Sequence, residues 1–464
     1  MIAPSHRLSS SRHTTRMWLF VLLILLVIVS GCTQAATPSP APAATACPTD
    51  TFTPVPSPTA TPSPTHTATP RPTVTPTLTL ALSKVEGPTP VLSPTSTPTA
   101  TAGSTASVAQ SSATADGTAS STSPPGSELT GGGLGGLTPP TAAGTYGQVP
   151  LVAMGSDVCP LTGLKVDQAR LERRPLAVKI SNAPAVVRPQ AGLSFADVVF
   201  EHYAEGNLTR FTAVFLSKDC DKIGSIRSAR LIDLEIPAMF KSMFAYSGSS
   251  TGVKEEIRNS DFFDRVISPD FGHDSAFKRI PAPGKAFEHT LFSDTAALWK
   301  VTDERGLNGR QDLSGWTFSA EPPAGGTPVT QLQIVYSSGY ADAEYSYDAS
   351  AGGYRRAVLG VPHRDELTGQ QLVANNVIVV YAPHVESAIL EDTHYGGHYS
   401  IQIQIWGEGL ARIFRDGQMY DVRWLRPGRH DLIRFVDAFG QAFPFKPGNV
   451  WIQVVPLGFN IAVK

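Results

Sequence analysis

Two arginines of the sequence are spaced so that they could hold an anion together. Arg227 and Arg230 lie three residues apart, at the start of a helix predicted over residues 228–241. In a helix, residues three apart lie on the same face. A guanidinium group binds carboxylate or phosphate through paired hydrogen bonds, and free N–H groups at a helix start also favour an anion. We therefore predict a ligand site at Arg227 and Arg230. The alternative is that both only neutralise nearby acids.

Two glutamates are candidates for the same site. Glu201 and Glu205 lie at even spacing in one arm of a predicted hairpin, so they face the same side if the strand persists. Paired carboxylates could perform acid–base chemistry. The preferred interpretation makes them counter-ions of Arg210, Arg227 and Arg230.

A serine lies in a pattern typical of hydrolases. Gly248-Ser249-Ser250-Thr251-Gly252 matches G-x-S-x-G and falls between a predicted strand and a predicted helix. Ser250 would be the nucleophile and His289 or His273 the base, and the orienting carboxylate would be Asp261, Asp264 or Asp270. A helix N-cap formed by Ser249 or Ser250 explains the same residues without catalysis.

Metal and cofactor patterns are weak. His384, Asp392, His394 and His398 fall in one stretch, but the last two histidines lie in a predicted loop without the helical spacing of a zinc site. The sequence contains neither a P-loop nor a dinucleotide fingerprint. We therefore predict no metal and no cofactor.

Cysteine use agrees with export from the cytoplasm. Cys159 and Cys220 fit no zinc spacing and could form a disulfide in an oxidising compartment. Two thiols in such a compartment can also stay apart, so Cys159 and Cys220 are only a candidate disulfide.

The N-terminus has the three parts of a bacterial lipoprotein signal. Arg7, Arg12 and Arg16 precede an apolar run over residues 18–29, which is too short to span a bilayer as a helix. Val29-Ser30-Gly31-Cys32 follows and resembles a lipobox. We predict a signal peptide over residues 1–32, lipidation of Cys32, and a lipid-anchored protein on the extracytoplasmic face of the membrane. The alternative is an uncleaved N-terminal anchor.

Composition divides the rest of the chain. Residues 33–150, here called the tether, are nearly all Thr, Pro, Ser, Ala and Gly, a composition predicted to stay disordered. The remainder is long enough for two domains, which we place at residues 151–325 and 326–464. With 37 Lys and Arg against 39 Asp and Glu, the chain lacks the basic excess that nucleic-acid binding requires.

Patterning predicts an α+β fold. The first domain should be α/β with a mixed sheet, because short apolar runs alternate with helical stretches. In the second, strands dominate and predict a small barrel or sandwich. Its predicted strands cover residues 332–336, 344–347, 354–358, 377–381, 401–406, 410–414, 419–424 and 450–455, with a hairpin turn over 415–418.

Several uncommon strings occur together in order. They are Arg188-Pro189-Gln190-Ala191-Gly192-Leu193, Ala196-Asp197-Val198-Val199-Phe200-Glu201, Gly206-Asn207-Leu208-Thr209-Arg210-Phe211, Ile223-Gly224-Ser225-Ile226-Arg227-Ser228-Ala229-Arg230, Phe414-Arg415-Asp416-Gly417 and Trp451-Ile452-Gln453-Val454-Val455-Pro456. On these strings the chain resembles the YerB-like bacterial lipoproteins, a family with a two-part domain of unknown function. The resemblance implies a cell-envelope lipoprotein and supplies no activity.

Three functions remain open from the sequence. The first is a cell-envelope binding module for an anionic or glycan ligand, such as a cell-wall polymer, or for an envelope protein. The second is an envelope serine hydrolase that uses Ser250 and His289. The third is a structural assembly partner. In each, the lipid bilayer is contacted through Cys32.

Overall fold

The computed structural model describes the backbone of residues 135–137 and, in full, residues 143–336, 339–392 and 397–464. All of these residues belong to one compact unit, residues 119–464. The signal peptide, Cys32 and most of the tether therefore lie outside the described residues, as does His394. No described helix is both long and apolar enough to cross a bilayer.

Helices are short in the described residues, and the α-helices number four. They are α1 Gln168–Leu171, α2 Ile236–Met239, α3 Thr251–Arg258 and α4 Thr295–Glu304. Single 3-10 turns occur at Ala185–Val187, Leu193–Phe195, Leu231–Leu234, Phe263–Arg265, Pro269–Phe271, Asp274–Ala276 and Phe287–His289.

Strands make up most of the regular structure. Those before residue 326 are β1 Gly135–Leu137, β2 Leu176–Ser181, β3 Val198–Tyr203, β4 Thr209–Phe215, β5 Ile223–Gly224, β6 Met243–Ala245, β7 Val266–Ile267, β8 Lys278–Arg279, β9 Leu291–Ser293 and β10 Thr317–Phe318. Those after it are β11 Thr327–Pro328, β12 Gln331–Ile334, β13 Ala343–Asp348, β14 Gly353–Val358, β15 Val361–Pro362, β16 Val373–Ala374, β17 Asn376–Ala382, β18 His384–Asp392, β19 His398–Ile403, β20 Gly407–Arg415, β21 Gln418–Arg426, β22 Arg434–Val436, β23 Pro444–Phe445, β24 Val450–Pro456 and β25 Ile461–Val463.

One mixed sheet contains strands from both predicted domains. Its order is β11-β21-β20-β17-β24-β3-β4-β2-β6-β7, and β22 pairs with β21. β24 lies between β17 and β3 and runs parallel to both. Its continuous run of buried residues is typical of a strand covered on both faces. The predicted boundary at residue 325 stays a prediction, but the sheet and one hydrophobic core continue across it.

A second sheet packs on the first. Its order is β1-β25-β12-β13-β14-β15, and β16 pairs with β14. Tyr345 and Arg356 of this sheet contact Gln453 and Glu201 of the larger one. Among the described residues no sheet closes on itself, so the predicted barrel is not found. The strands form open sheets, of which the larger is mixed and the second is antiparallel.

The hairpin predictions are confirmed. β3 and β4 pair as antiparallel neighbours, and β20 and β21 are joined at Asp416 and Gly417, both with positive φ. That conformation characterises the tight turns that suit the twist of a hairpin. The predicted strand over residues 401–406 is shifted, because β19 covers His398–Ile403.

The predicted helix over residues 228–241 starts later than expected and is interrupted. Residues 227–230 are extended, since Ile226 bridges Ile180 and the N–H of Ala229 donates to the Gly248 carbonyl. A 3-10 turn follows, and then α2, in which Pro237 occupies the first turn. Proline is tolerated there but not inside a helix, because it lacks an N–H and clashes with the preceding turn.

Candidate functional site

Arg230 is held by carboxylates from two distant parts of the chain. Its Nε contacts the carboxylate of Glu205, just beyond β3, and its Nη1 lies 3.5 Å from Oε2 of Glu391 at the end of β18. Nη1 also donates to the Ala229 carbonyl at 2.7 Å. Both carboxylates are buried beside it. This pairing agrees with the alternative interpretation, in which Arg230 neutralises nearby acids.

Arg210 and Arg227 lie close to Arg230, and Arg210 is the more buried of the two. Nη1 of Arg210 donates to the Ser228 carbonyl at 2.8 Å. Burial, together with repulsion by Arg230 and Arg227, holds the pKa of Arg210 well below its usual value. The lowered pKa of Arg210 means that its positive charge is less favourable in the folded protein than in water.

Arg227 differs from the other two arginines. Within the described ranges its guanidinium makes no hydrogen bond and no ion pair. Burial lowers its pKa and repulsion by Arg230 adds to that effect, which the half-exposed Glu288 carboxylate offsets only in part. Arg227 is therefore the one of the three whose guanidinium has no bonded partner among the described residues.

Ser250 completes the cluster with a second serine. It is the N-cap of α3, accepting from the Val253 N–H at 3.4 Å, and its Oγ donates to Oε1 of Glu391 at 2.8 Å. Ser400 of β19 donates to the same oxygen. We call the set Glu205, Arg210, Arg227, Arg230, Ser250, Glu391 and Ser400 the serine–arginine cluster.

A buried ion pair fixes the backbone at Arg230. Oδ2 of Asp233 accepts from the Arg230 N–H at 2.7 Å and lies 2.7 Å from Nζ of Lys179. Lys179 also contacts His202 and Thr212, and burial lowers its pKa to about 8. All four side chains are inaccessible, so this group positions the cluster without contacting solvent.

The hairpin of β18 and β19, here called the arm, delivers Glu391 and Ser400. It packs on α3, and a Cβ added to Gly252 would lie 2.6 Å from Cγ2 of Ile389 in β18. Glycine at position 252 therefore permits the close approach that brings Glu391 to Ser250. Sequence spacing gives no signal for this contact, because 141 residues separate the two.

Glu201 lies in a different network from Glu205. Its carboxylate accepts from Nη2 of Arg356 at 2.6 Å, from Asn182 at 2.9 Å and from Thr209 at 2.9 Å. The expectation that it is a counter-ion of Arg210, Arg227 and Arg230 is therefore wrong. Glu205 lies beyond the end of β3, so the strand alternation that would align the two glutamates does not reach it.

The hydrolase candidates are not brought together. Among the bonds of the described residues, Ser250 has no imidazole partner. His273 bonds to the Ser268 backbone. His289 is buried, its Nδ1 has no partner in the described residues, and burial together with Arg227 lowers its pKa.

Two of the three carboxylates proposed for the same triad, those of Asp261 and Asp270, are engaged elsewhere. Asp261 pairs with Arg429 and His430, and Asp270 with Lys254. The Asp264 carbonyl accepts from Arg305. None of these contacts orients a histidine toward Ser250.

The remaining sequence candidates have simple surroundings. Cys159 and Cys220 are free, buried thiols, so the candidate disulfide is not formed. His398 pairs with Asp392 at 2.9 Å. In the part of the chain that the structure describes, no group of three ligating side chains could hold a metal ion.

Comparison with known proteins places the chain in one family. Residues 161–308 match the N-terminal domain, and residues 332–452 the C-terminal domain, of a protein of unknown function, DUF3048. "Putative lipoprotein YerB" of Bacillus subtilis (strain 168) is 32% identical over 299 residues, which cover 64% of this chain and 86% of that protein. A crystal structure of YerB from Bacillus subtilis aligns with a TM-score of 0.55 and 29% identity over 66% of this chain and 99% of the other. The chain therefore belongs to the DUF3048 family, as its resemblance to the YerB-like lipoproteins implied.

Proposed function

We propose that this protein is a lipid-anchored, extracytoplasmic binding protein whose serine–arginine cluster holds a carboxylate of a cell-wall polymer. The observation that carries the proposal is the free guanidinium of Arg227. Arginine is rarely left half-buried without an acceptor, and a bound carboxylate would satisfy its donors.

Charge in the cluster supports an anionic ligand. Glu205 and Glu391 pair with Arg230 and attract Arg210. Arg227 is attracted by the half-exposed carboxylate of Glu288, which lies outside the cluster. The residues of the cluster therefore carry one more guanidinium group than carboxylates, a difference that the solvent-screened charge of Glu288 offsets only weakly. An added carboxylate would balance it and relieve the repulsion that lowers the pKa of Arg210.

The contacts of Glu391 indicate which kind of anion the cluster would bind, namely a carboxylate. Its two oxygens are contacted by the hydroxyls of Ser250 and Ser400 and by Arg230. Hydroxyl and guanidinium donors suit the planar, two-oxygen shape of a carboxylate. A ligand carboxylate at Arg227 would extend the same set of donors.

The experiment compares two ligands that differ by one charge. Membranes that carry the full chain are equilibrated with a radiolabelled muramoyl peptide ending in a free carboxylate, and with its C-terminal amide. We expect the carboxylate form to bind at least about tenfold more tightly, since a charge-assisted contact contributes about 1.5–3 kcal/mol. Arg227→Gln should remove this difference.

The matched control is Arg423→Gln. Arg423 is a partly exposed arginine in β21 that pairs with Glu408 outside the cluster, so its replacement should leave both affinities unchanged. The proposal is wrong if folded Arg227→Gln binds the carboxylate form as tightly as the parent does.

The hydrolase alternative is tested in the same membranes. Ser250 donates to Glu391 rather than to an imidazole, which favours binding over catalysis. Turnover of p-nitrophenyl acetate by the parent chain, lost in a folded Ser250→Ala variant, would support the hydrolase and contradict a purely binding role.

A further inference from the structure

A second surface of the molecule combines an apolar groove with unpaired cations. The groove has a volume of about 370 Å³, within the range of small-molecule sites. Its walls come from the segment over residues 185–189 and from the hairpin of β14 and β15. The lining residues are Ala185, Arg188, Pro189, Val358, Leu359, Val361, Pro362, His363 and Arg364.

The hairpin exposes aliphatic side chains at its tip. Leu359 has a φ of +52° and is 43% exposed, and Val361 is 65% exposed. Positive φ is strained for a bulky residue and usual for Gly, Asn or Asp. Folding alone would favour a polar residue at this turn, so the exposed leucine indicates contact with an apolar partner.

Two arginines border the groove without a carboxylate partner. Both Nη atoms of Arg188 donate to the Tyr340 carbonyl, at 3.1 and 3.0 Å, and Nη1 of Arg364 donates to the Gly369 carbonyl at 2.9 Å. Neither forms an ion pair within residues 143–336, 339–392 and 397–464. Their charges are therefore open to an anion.

Arg188 has a specific need for a counter-charge. Burial and repulsion by Arg356 lower its pKa. The carboxylate that would offset this repulsion is Glu201, which already bonds to Arg356 at 2.6 Å. An anion bound at the groove would stabilise the charge on Arg188.

An acidic peptide fits this surface less well than a lipid does. β15 is the edge strand of its sheet, and a peptide could extend it only through backbone hydrogen bonds. Pro362 removes one of the required N–H donors from that strand. Apolar walls combined with guanidinium groups suit an acyl chain that carries an anionic head.

We propose that the groove binds one acyl chain of an anionic membrane phospholipid, with the phosphate of that lipid paired with Arg188 and Arg364. The site is separate from the serine–arginine cluster and does not depend on its function. Together with a lipid anchor it would give the protein a second contact with the bilayer, and two contacts hold a protein more stably than one.

The test uses the full chain in bacterial membranes supplemented with phosphatidylglycerol whose acyl chain carries a diazirine. After irradiation, mass spectrometry locates the labelled peptides. We expect label on residues 185–189 and 358–364, and at least about tenfold less label in the double variant Arg188→Gln, Arg364→Gln. Val361→Asp should also lose label, because a charge would enter the apolar wall.

Controls separate the lipid from other occupants. Leu457→Asp alters another exposed aliphatic residue, 63% exposed, and the pair Arg423→Gln, Arg434→Gln removes two arginines that do not line the groove. Both should keep full labelling. Thermal unfolding of every variant checks that loss of label is not loss of fold.

Three outcomes would overturn the proposal. The first is equal labelling of the groove by diazirine phosphatidylcholine, which lacks a net negative charge. The second is labelling by a diazirine fatty acid but not by phosphatidylglycerol, which would make the ligand a free acid. The third is displacement of phosphatidylglycerol by an acidic, apolar peptide, which would make the surface a protein-binding site.

Discussion

Glu201 and Arg356 form a fully buried ion pair that joins the two predicted domains. Oε2 of Glu201 in β3 lies 2.6 Å from Nη2 of Arg356 in β14, and neither side chain is accessible. Attraction to Glu201 raises the pKa of Arg356 although burial opposes it. The pair connects the larger sheet to the sheet that packs on it.

Breaking this pair from one side should be costly. Arg356→Met leaves the Glu201 carboxylate buried without its counter-ion, and we expect the free energy of unfolding to fall by about 3–5 kcal/mol. Urea titration followed by circular dichroism measures the change. Combining it with Glu201→Gln should recover at least half of the loss, because no charge is then left unpaired. Strictly additive losses in the double variant would show that the two residues do not interact.

The contact between Gly252 and Ile389 should control the position of the arm. Gly252→Ala places a Cβ 2.6 Å from Cγ2 of Ile389, which is too close, so we expect the arm to shift and to carry Glu391 away from Ser250. We expect faster amide hydrogen exchange in residues 384–392 and 397–403. Gly252→Ala combined with Ile389→Ala should restore slow exchange, since the second change frees the space. Unchanged exchange in Gly252→Ala alone would contradict the packing.

His384 should make the protein less stable in mild acid. Burial lowers its pKa to about 4, although Nδ1 donates to the Ala382 carbonyl. In the unfolded chain the pKa is near 6.5, so between these values only the unfolded chain binds the proton. Stability is therefore lost as pH falls from about 6.5 toward 4.

Replacing His384 measures how much of the loss of stability in acid is due to this histidine. His384→Gln keeps a donor for Ala382 but cannot titrate, so its melting temperature should fall less than that of the parent between pH 7 and pH 4.5. Burial also lowers the pKa values of His202 and His363, so some acid sensitivity should remain. Parallel melting curves for parent and variant would show that His384 is protonated equally in both states.

Cys32→Ser should abolish lipidation, because serine cannot form the thioether that carries the diacylglycerol. The protein should then be released, or retained only by an uncleaved signal. Incorporation of radiolabelled palmitate measures the difference. Cys47→Ser, which changes a cysteine in the tether, is the control and should keep its label. Palmitate that persists in Cys32→Ser would contradict the lipobox.

The sequence by itself determined the features that depend on neighbouring residues. The hairpins around residues 206 and 416, the strand β24 and the helix α3 after its N-cap Ser250 were all predicted from local composition and turn chemistry. Such features arise because backbone preferences and side-chain alternation act over a few residues. Family membership was likewise readable from short strings.

Only the tertiary structure decided which side chains meet. Glu391 reaches Ser250 across 141 residues, and Arg356 reaches Glu201 across 155, so no local spacing encodes either pair. The sequence placed Arg227 and Arg230 on a helix, but the bridge at Ile226 and the hydrogen bond from Ala229 to Gly248 keep them extended. The order of strands in the sheets decides that Arg230 has carboxylate partners and that Arg227 does not. Parallel and non-consecutive strands bring together residues that are remote in the chain.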